Sequence, residues 1–99
     1  MNIKKSFFVT SIQQDKVPPD GCLSTLAALW WVEKGDWSKA HDLAEVDKTA
    51  DGHWVHAYLH RIEGDIANAS YWYNKAGRAV STATFLEEWN MMVEELLSK

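Results

Sequence analysis

The chain has 99 residues, of which 46% are hydrophobic and 24% are charged, and its formal net charge is -4. This length and composition are typical of one globular domain, and the acidic balance argues against nucleic acid and anionic membranes as partners, since both attract clustered Lys and Arg. No apolar run approaches membrane-spanning length, and the start is too weakly apolar for a signal peptide, so we expect a cytoplasmic protein. The single cysteine, Cys22, excludes an internal disulfide. The six tryptophans predict an aromatic core.

The first predicted element is an extended N-terminal arm over residues 1–19. This segment has no sustained helical period, and Pro18 and Pro19 favour extended backbone. Asp20 follows directly and is of the residue type that caps helices, so we expect the first helix to begin there.

Residues 20–48 are predicted to form a first helical hairpin. Its first apolar residues recur at helical spacing, namely Leu23, Leu26, Ala27, Trp30 and Trp31. Gly35 and Asp36 interrupt the pattern, because Gly allows a tight turn and Asp caps the helix that follows. The second helix is predicted from Trp37 to about Lys48.

Residues 52–77 are predicted to form a second hairpin of the same kind. Its first helix covers residues 53–63, Gly64 and Asp65 form the break, and its second helix covers residues 66–76. Gly77 is suited to the position just after a helix end.

The final helix is predicted over residues 83–98. Thr84 and Glu87 have the spacing of a capping box at its start. The apolar residues form one stripe, namely Phe85, Leu86, Trp89, Met92, Val93, Leu96 and Leu97. The acidic residues are expected on the opposite, solvated face, namely Glu87, Glu88, Glu94 and Glu95.

The two hairpins repeat at an offset of 29 residues. GDWSKA, which begins at Gly35, aligns with GDIANA, which begins at Gly64, and Ala28 aligns with Ala57. The segment GDIANASYWYNKA resembles the turn and second helix of a tetratricopeptide repeat. In that resemblance the characteristic small and aromatic positions are Ala57, Gly64, Ala69, Tyr73 and Ala76.

The resemblance covers about residues 23–77 and implies stacked helical hairpins. The first hairpin is the more divergent, since Ala44 and Asp47 stand where Tyr73 and Ala76 stand in the second. Two hairpins rarely form a stable fold by themselves, so we expect the final helix to pack against them and complete a compact all-α bundle of about five helices. The run HAYLHRIEGDIANASYWYNKAG also resembles a family of uncharacterised bacterial proteins, which implies no activity.

Three histidines and a glutamate share one face of the third predicted helix. At 100° per residue, four side chains fall within about 80° of one another, namely His53, His56, His60 and Glu63. Imidazole binds zinc and titrates near neutral pH, so this face is a candidate metal site or acid–base cluster. His53 and His60 are separated by about 10.5 Å of helix rise, too far to share one ion easily. His56 and His60 are the feasible pair, and the further candidate ligands are His53, Glu63 and His41.

The alternative is that these imidazoles are packing residues. By the repeat resemblance, His53, His56 and His60 fall where large side chains fill the seam between helices. The sequence HAYLH also lacks the glutamate of the HExxH metalloprotease motif. We therefore expect no cofactor, with a divalent metal such as zinc as the alternative.

A groove is the second candidate site. The repeat resemblance implies that the first helix of each hairpin lines a concave surface, and the anchors there are Leu29, Trp54, Tyr58 and Arg61. Aromatic and Arg side chains suit a protein or peptide partner. The alternative is that the final helix or the N-terminal arm covers this surface.

The expected function is therefore a non-enzymatic interaction module that binds a protein or peptide, or a second copy of itself. The alternative is a small metal- or ligand-binding protein, conceivably an enzyme, that uses the histidine face.

Overall fold

A computed structural model describes residues 3–99. They form six α-helices and no β-strand, which confirms the all-α class and corrects the expected count of about five. In chain order the helices are α1 (Lys5–Gln14), α2 (Ser24–Lys34), α3 (Trp37–Val46), α4 (Ala50–Ile62), α5 (Ile66–Lys75) and α6 (Phe85–Leu97). None of these described helices is long and apolar enough to cross a membrane.

The N-terminal segment contains a helix where an extended arm was predicted. α1 packs against α2 and α6, and it buries Phe8 and Ser11. Ser11 Oγ accepts a hydrogen bond of 2.9 Å from Nε1 of Trp30. A helix this short is marginal by itself, so tertiary contacts that the local pattern does not reveal stabilise it. Met1 and Asn2, the start of the predicted arm, lie outside the described residues.

The two predicted interhelix turns are confirmed. Gly35 and Gly64 both have left-handed backbone, with φ of 98° and 84°. Asp36 caps α3 and Asp65 caps α5, each accepting a hydrogen bond from the backbone N–H three residues later. α2 therefore packs against α3, and α4 packs against α5, across connections of two or three residues.

The start of α2 differs from the prediction. The helix begins at Ser24 and not at Asp20, because the chain turns through Gly21, whose φ is 74°. Leu23 occupies the N-cap position and supplies no side-chain hydrogen bond.

The connection from α3 to α4 is tightly bonded. α4 begins three residues before its predicted start, and Thr49 Oγ1 caps it by accepting a hydrogen bond of 3.0 Å from the Gly52 N–H. The Thr49 hydroxyl donates to Asp47 Oδ1 at 2.6 Å, and the Ser24 hydroxyl donates to Asp47 Oδ2 at 2.7 Å. These bonds fix where α4 starts relative to α3.

α6 packs against α1, α2 and α4. The predicted capping box is present, with Glu87 N–H donating to Thr84 Oγ1 and Thr84 N–H donating to Glu87 Oε1. Its buried apolar side chains are Trp89, Met92, Val93 and Leu96. The prediction of an aromatic core is confirmed, since three tryptophans are buried and three are half-buried; the buried ones are Trp30, Trp54 and Trp89.

Candidate metal centre

Three imidazole rings meet between α3 and α4. His41 lies on α3, and His56 and His60 lie one turn apart on α4. His41 Nε2 and His56 Nε2 are hydrogen-bonded at 3.0 Å, so in the metal-free protein one ring donates and the other accepts. The ring centroids are 4.7 Å apart for His41 and His56, 5.1 Å for His41 and His60, and 4.9 Å for His56 and His60. Each ring can offer one nitrogen such that all three lie within 4.8 Å of one another.

Carboxylates lie behind two of the three rings. Nδ1 of His60 is 2.6 Å from Glu63 Oε1, and Nδ1 of His41 is 3.9 Å from Glu45 Oε2. A carboxylate on one ring nitrogen holds the proton there and leaves the other nitrogen as a lone-pair donor, which is the usual arrangement of metal-binding histidines. Nε2 is therefore the available donor of His60, whereas the 3.9 Å between His41 and Glu45 is too long for a hydrogen bond that would fix the tautomer of His41.

Two tryptophans hold the rings in place. The Trp37 ring stacks on His41 with centroids 4.9 Å apart and an interplanar angle of 15°, and Trp72 stacks on His56 at 4.1 Å and 21°. Trp37 Nε1 donates a hydrogen bond of 2.9 Å to the Leu59 carbonyl. Because each indole is itself fixed, the two imidazoles have little freedom to rotate away.

The cluster is largely shielded from water, and His56 in particular disfavours protonation. His56 is 3% exposed and His60 is 7% exposed, whereas His41 is half-buried. Burial, followed by the electrostatic interactions with His41 and His60, lowers the pKa of His56 to about 4. His56 Nδ1 is also buried without a hydrogen-bond partner. A neutral imidazole is the form that binds a metal.

The spacing of the nitrogens fits a transition metal. With zinc–nitrogen distances of about 2.0–2.1 Å, two ligands of a tetrahedral ion are about 3.3 Å apart. The 3.0 Å between His41 and His56 is close to that value. The His60 nitrogen lies within 4.8 Å of the other two, so this ring would move inward to complete a tetrahedral site. Three imidazoles suit zinc, copper or nickel and do not suit calcium or magnesium.

The structure separates the predicted metal ligands into three groups. His56 and His60, the predicted pair, face one another, and His41 from the neighbouring helix completes the cluster. Glu63 supports His60 from behind. His53 does not join, and its ring lies against Trp72 with centroids 5.3 Å apart. The helical period found the pair on α4, but only the packing of α3 on α4 selects His41 as their partner.

The predicted groove is closed by α6, which is the alternative that the sequence left open for this surface. Leu29, Trp54 and Tyr58 are at most 4% exposed. Each makes a hydrogen bond to α6: Trp89 Nε1 donates to the Leu29 carbonyl, and Tyr58 Oη donates to the carbonyl of Phe85. Trp54 donates to a glutamate of the same helix, and so does Arg61, the fourth predicted anchor.

That glutamate, Glu88, was predicted on the solvated face of α6 and is instead 2% exposed. Its Oε1 accepts hydrogen bonds of 3.0 and 2.8 Å from the Arg61 guanidinium, and its Oε2 accepts one of 3.1 Å from Trp54 Nε1. The Tyr73 hydroxyl donates to the same carboxylate at 2.6 Å. Burial, and to a smaller extent this hydrogen bond, raises the pKa of the Tyr73 phenol. Helical spacing contained a signal, since Glu88 lies four residues before Met92 and thus within the apolar stripe.

Comparison with known proteins identifies no family for this chain. The chain matches no protein-family model, and neither the curated proteins nor the solved structures give a significant match. The evidence about function therefore comes from the chemistry of the chain itself.

Proposed function

We propose that this protein binds one transition metal ion, with Zn²⁺ as the favoured ion, through His41, His56 and His60. The observation that supports this most strongly is the convergence of three imidazoles from two helices with carboxylates behind two of them. Imidazoles that serve only as packing residues need no such shared orientation, whereas metal ligands require it.

The proposed site is of the type that leaves one coordination position open. The group contains three ligands, and no fourth His, Cys, Asp or Glu of residues 3–99 joins it. Structural zinc sites are closed by four protein ligands, whereas three protein ligands and one exchangeable position characterise catalytic sites. The metal would also join α3 to α4, so binding is expected to stabilise the fold.

Titration with Co²⁺ tests the proposal, because a cobalt ion bound to three imidazoles in tetrahedral geometry absorbs visible light far more strongly than the hydrated ion. We expect one equivalent to bind. His60→Ala should abolish the absorption, and His53→Ala, which removes a histidine outside the cluster, should leave it unchanged. A folded wild-type protein that binds neither Co²⁺ nor Zn²⁺ would overturn the proposal.

The second candidate is the interaction module expected from tetratricopeptide-like hairpins. It is favoured by apolar side chains on the surface, since Phe85 and Leu86 at the start of α6 are 46% and 63% exposed, and Tyr71 on α5 is 57% exposed. The partner is a protein or peptide, or a second copy of the chain. Sedimentation at several protein concentrations tests self-association, and Leu86→Ser should weaken it. A protein that is monomeric at all concentrations would rule out self-association.

A further inference from the structure

We propose that the open coordination position takes a small inorganic or carboxylate anion, so that the protein is a receptor for such an anion on its bound metal. This inference rests on the proposed metal site and specifies what that site binds.

The charge of the ligand set favours an anion over neutral water in the fourth position. Three neutral imidazoles leave the full double charge of a divalent ion uncompensated. Zinc sites often offset this charge with thiolates, but Cys22, the one thiol of the chain, is not part of the group. A net charge beneath a protein surface is costly unless an opposite charge accompanies it. An exogenous anion in the fourth position supplies that charge directly on the metal.

The carboxylates near the site do not provide the same compensation. Glu63 and Glu45 contact the outer nitrogens of His60 and His41, on the side of each ring that faces away from the proposed ion. Their side chains are 40% and 58% exposed, so water screens their charge. They orient the ligands, but they leave the fourth position itself without a negative group.

The wider surroundings of the cluster also favour an anion. The ammonium group of Lys48 lies close enough for its positive charge to act on His56. It provides no counter-charge for a cation, and it would attract a negatively charged ligand towards the site.

The shape of the site limits the anion to a small one. Trp37 covers one side of the cluster by stacking on His41, and Trp72 covers another by stacking on His56. The side chain of His41 is 19% exposed and that of His60 is 9% exposed, so the cluster approaches solvent chiefly beside α3. Because two indoles and the neighbouring rings enclose the cluster, the proposed anion is a small one such as azide, formate or bicarbonate.

The experiment uses the full chain loaded with one equivalent of Co²⁺ at pH 7.5 and constant ionic strength. Sodium azide is added while the visible spectrum is recorded, and sodium perchlorate, which coordinates metals weakly, serves as the control. We expect a saturable spectral change with azide, at one site per chain, and none with perchlorate. Bicarbonate and formate should compete with azide.

Two results would overturn the inference in distinguishable ways. A strong cobalt spectrum that azide, bicarbonate and formate all leave unchanged would show a metal site without an anion site. A spectrum identical to that of hydrated Co²⁺ would remove the metal site and the anion site together.

A pair of lysine variants tests the contribution of charge. Lys48→Met should weaken azide binding by about two- to fivefold without weakening cobalt binding, because the variant removes a positive charge near the site and replaces no ligand. Lys16→Met, in the exposed connection before α2, is the matched control. Equal azide affinities in the two variants would contradict the electrostatic basis of the inference.

Discussion

His41 and His56 face each other with their Nε2 atoms 3.0 Å apart, although they lie on different helices and 15 residues apart in the chain. Two such rings cannot both be protonated at this distance without strong repulsion. The metal-free protein therefore keeps His56 neutral, in agreement with its pKa of about 4.

Metal-free protein should lose stability as the pH falls from about 6.5 towards 4. In this window the unfolded chain binds a proton at His56 and the folded chain does not, because the folded pKa is the lower one. At pH 5 the expected loss is about 2 kcal/mol relative to pH 7.5, which corresponds to a decrease in Tm on the order of 10 °C. Thermal unfolding in the presence of a chelator measures it.

The matched variants for this prediction are His56→Phe and His53→Phe. The first keeps a ring that can stack on Trp72 and should have a smaller decrease in Tm between pH 7.5 and pH 5. The second should behave as wild type. An unchanged pH dependence in His56→Phe would mean that another group causes it.

Glu63 should tune metal affinity through His60. Its carboxylate accepts a hydrogen bond of 2.6 Å from His60 Nδ1, which raises the electron density on Nε2 and fixes the ring. Glu63→Gln should weaken zinc binding by about 10- to 100-fold. Glu45→Gln, at a carboxylate 3.9 Å from His41, should have a smaller effect, and competition with a chromogenic chelator measures both. Wild-type affinity in Glu63→Gln would exclude the orienting role.

Glu88 should be among the residues on which the fold depends most. Glu88→Ala leaves the Arg61 guanidinium, the Tyr73 hydroxyl and the Trp54 N–H without their buried acceptor, and the expected loss is about 3–5 kcal/mol. Glu94→Ala removes a surface ion pair on the same helix and should cost less than about 1 kcal/mol. Urea denaturation compares the two.

Glu88→Gln is a more conservative change in the same network, because it keeps the shape of the side chain and one oxygen acceptor. Its free energy of unfolding should lie between those of Glu88→Ala and wild type. A value equal to wild type would show that the charge of Glu88 contributes nothing.

Gly52 should tolerate no side chain, although it lies in a helix. Alanine normally stabilises a helix relative to glycine by about 1 kcal/mol. A Cβ at Gly52, however, would overlap the backbone carbonyl of Asp47 and its carboxylate, so α4 would have to move relative to α3. Gly52→Ala should therefore destabilise the protein by about 1–3 kcal/mol and also weaken metal binding, since the ligands lie on these two helices.

The control for this prediction is Gly77→Ala. Gly77 has left-handed backbone with φ of 74° and open space around its Cβ position, so alanine should cost about 1 kcal/mol through backbone strain alone. Its metal affinity should remain that of wild type. Equal metal affinities in the two variants would show that the α3–α4 spacing does not control the site.

Local chemistry explains which elements could be predicted. The Gly-Asp turns, the capping box of α6 and the pairing of His56 with His60 depend on residues within four positions of one another, and such relationships follow directly from helix geometry. The same reasoning failed for α1, whose residues bury Phe8 only because α2 and α6 are there to cover it.

The sequence by itself determined that the chain is helical, where most of its turns lie and which histidines share a face of α4. Only the tertiary structure decided which residues of other helices each helix face contacts. It brought His41 to His56, placed α6 over the predicted groove and enclosed Glu88 among three donors. The physical reason is that periodicity identifies the direction in which a side chain points from its own helix, whereas its function depends on the neighbouring helix, whose position follows from packing over the whole chain.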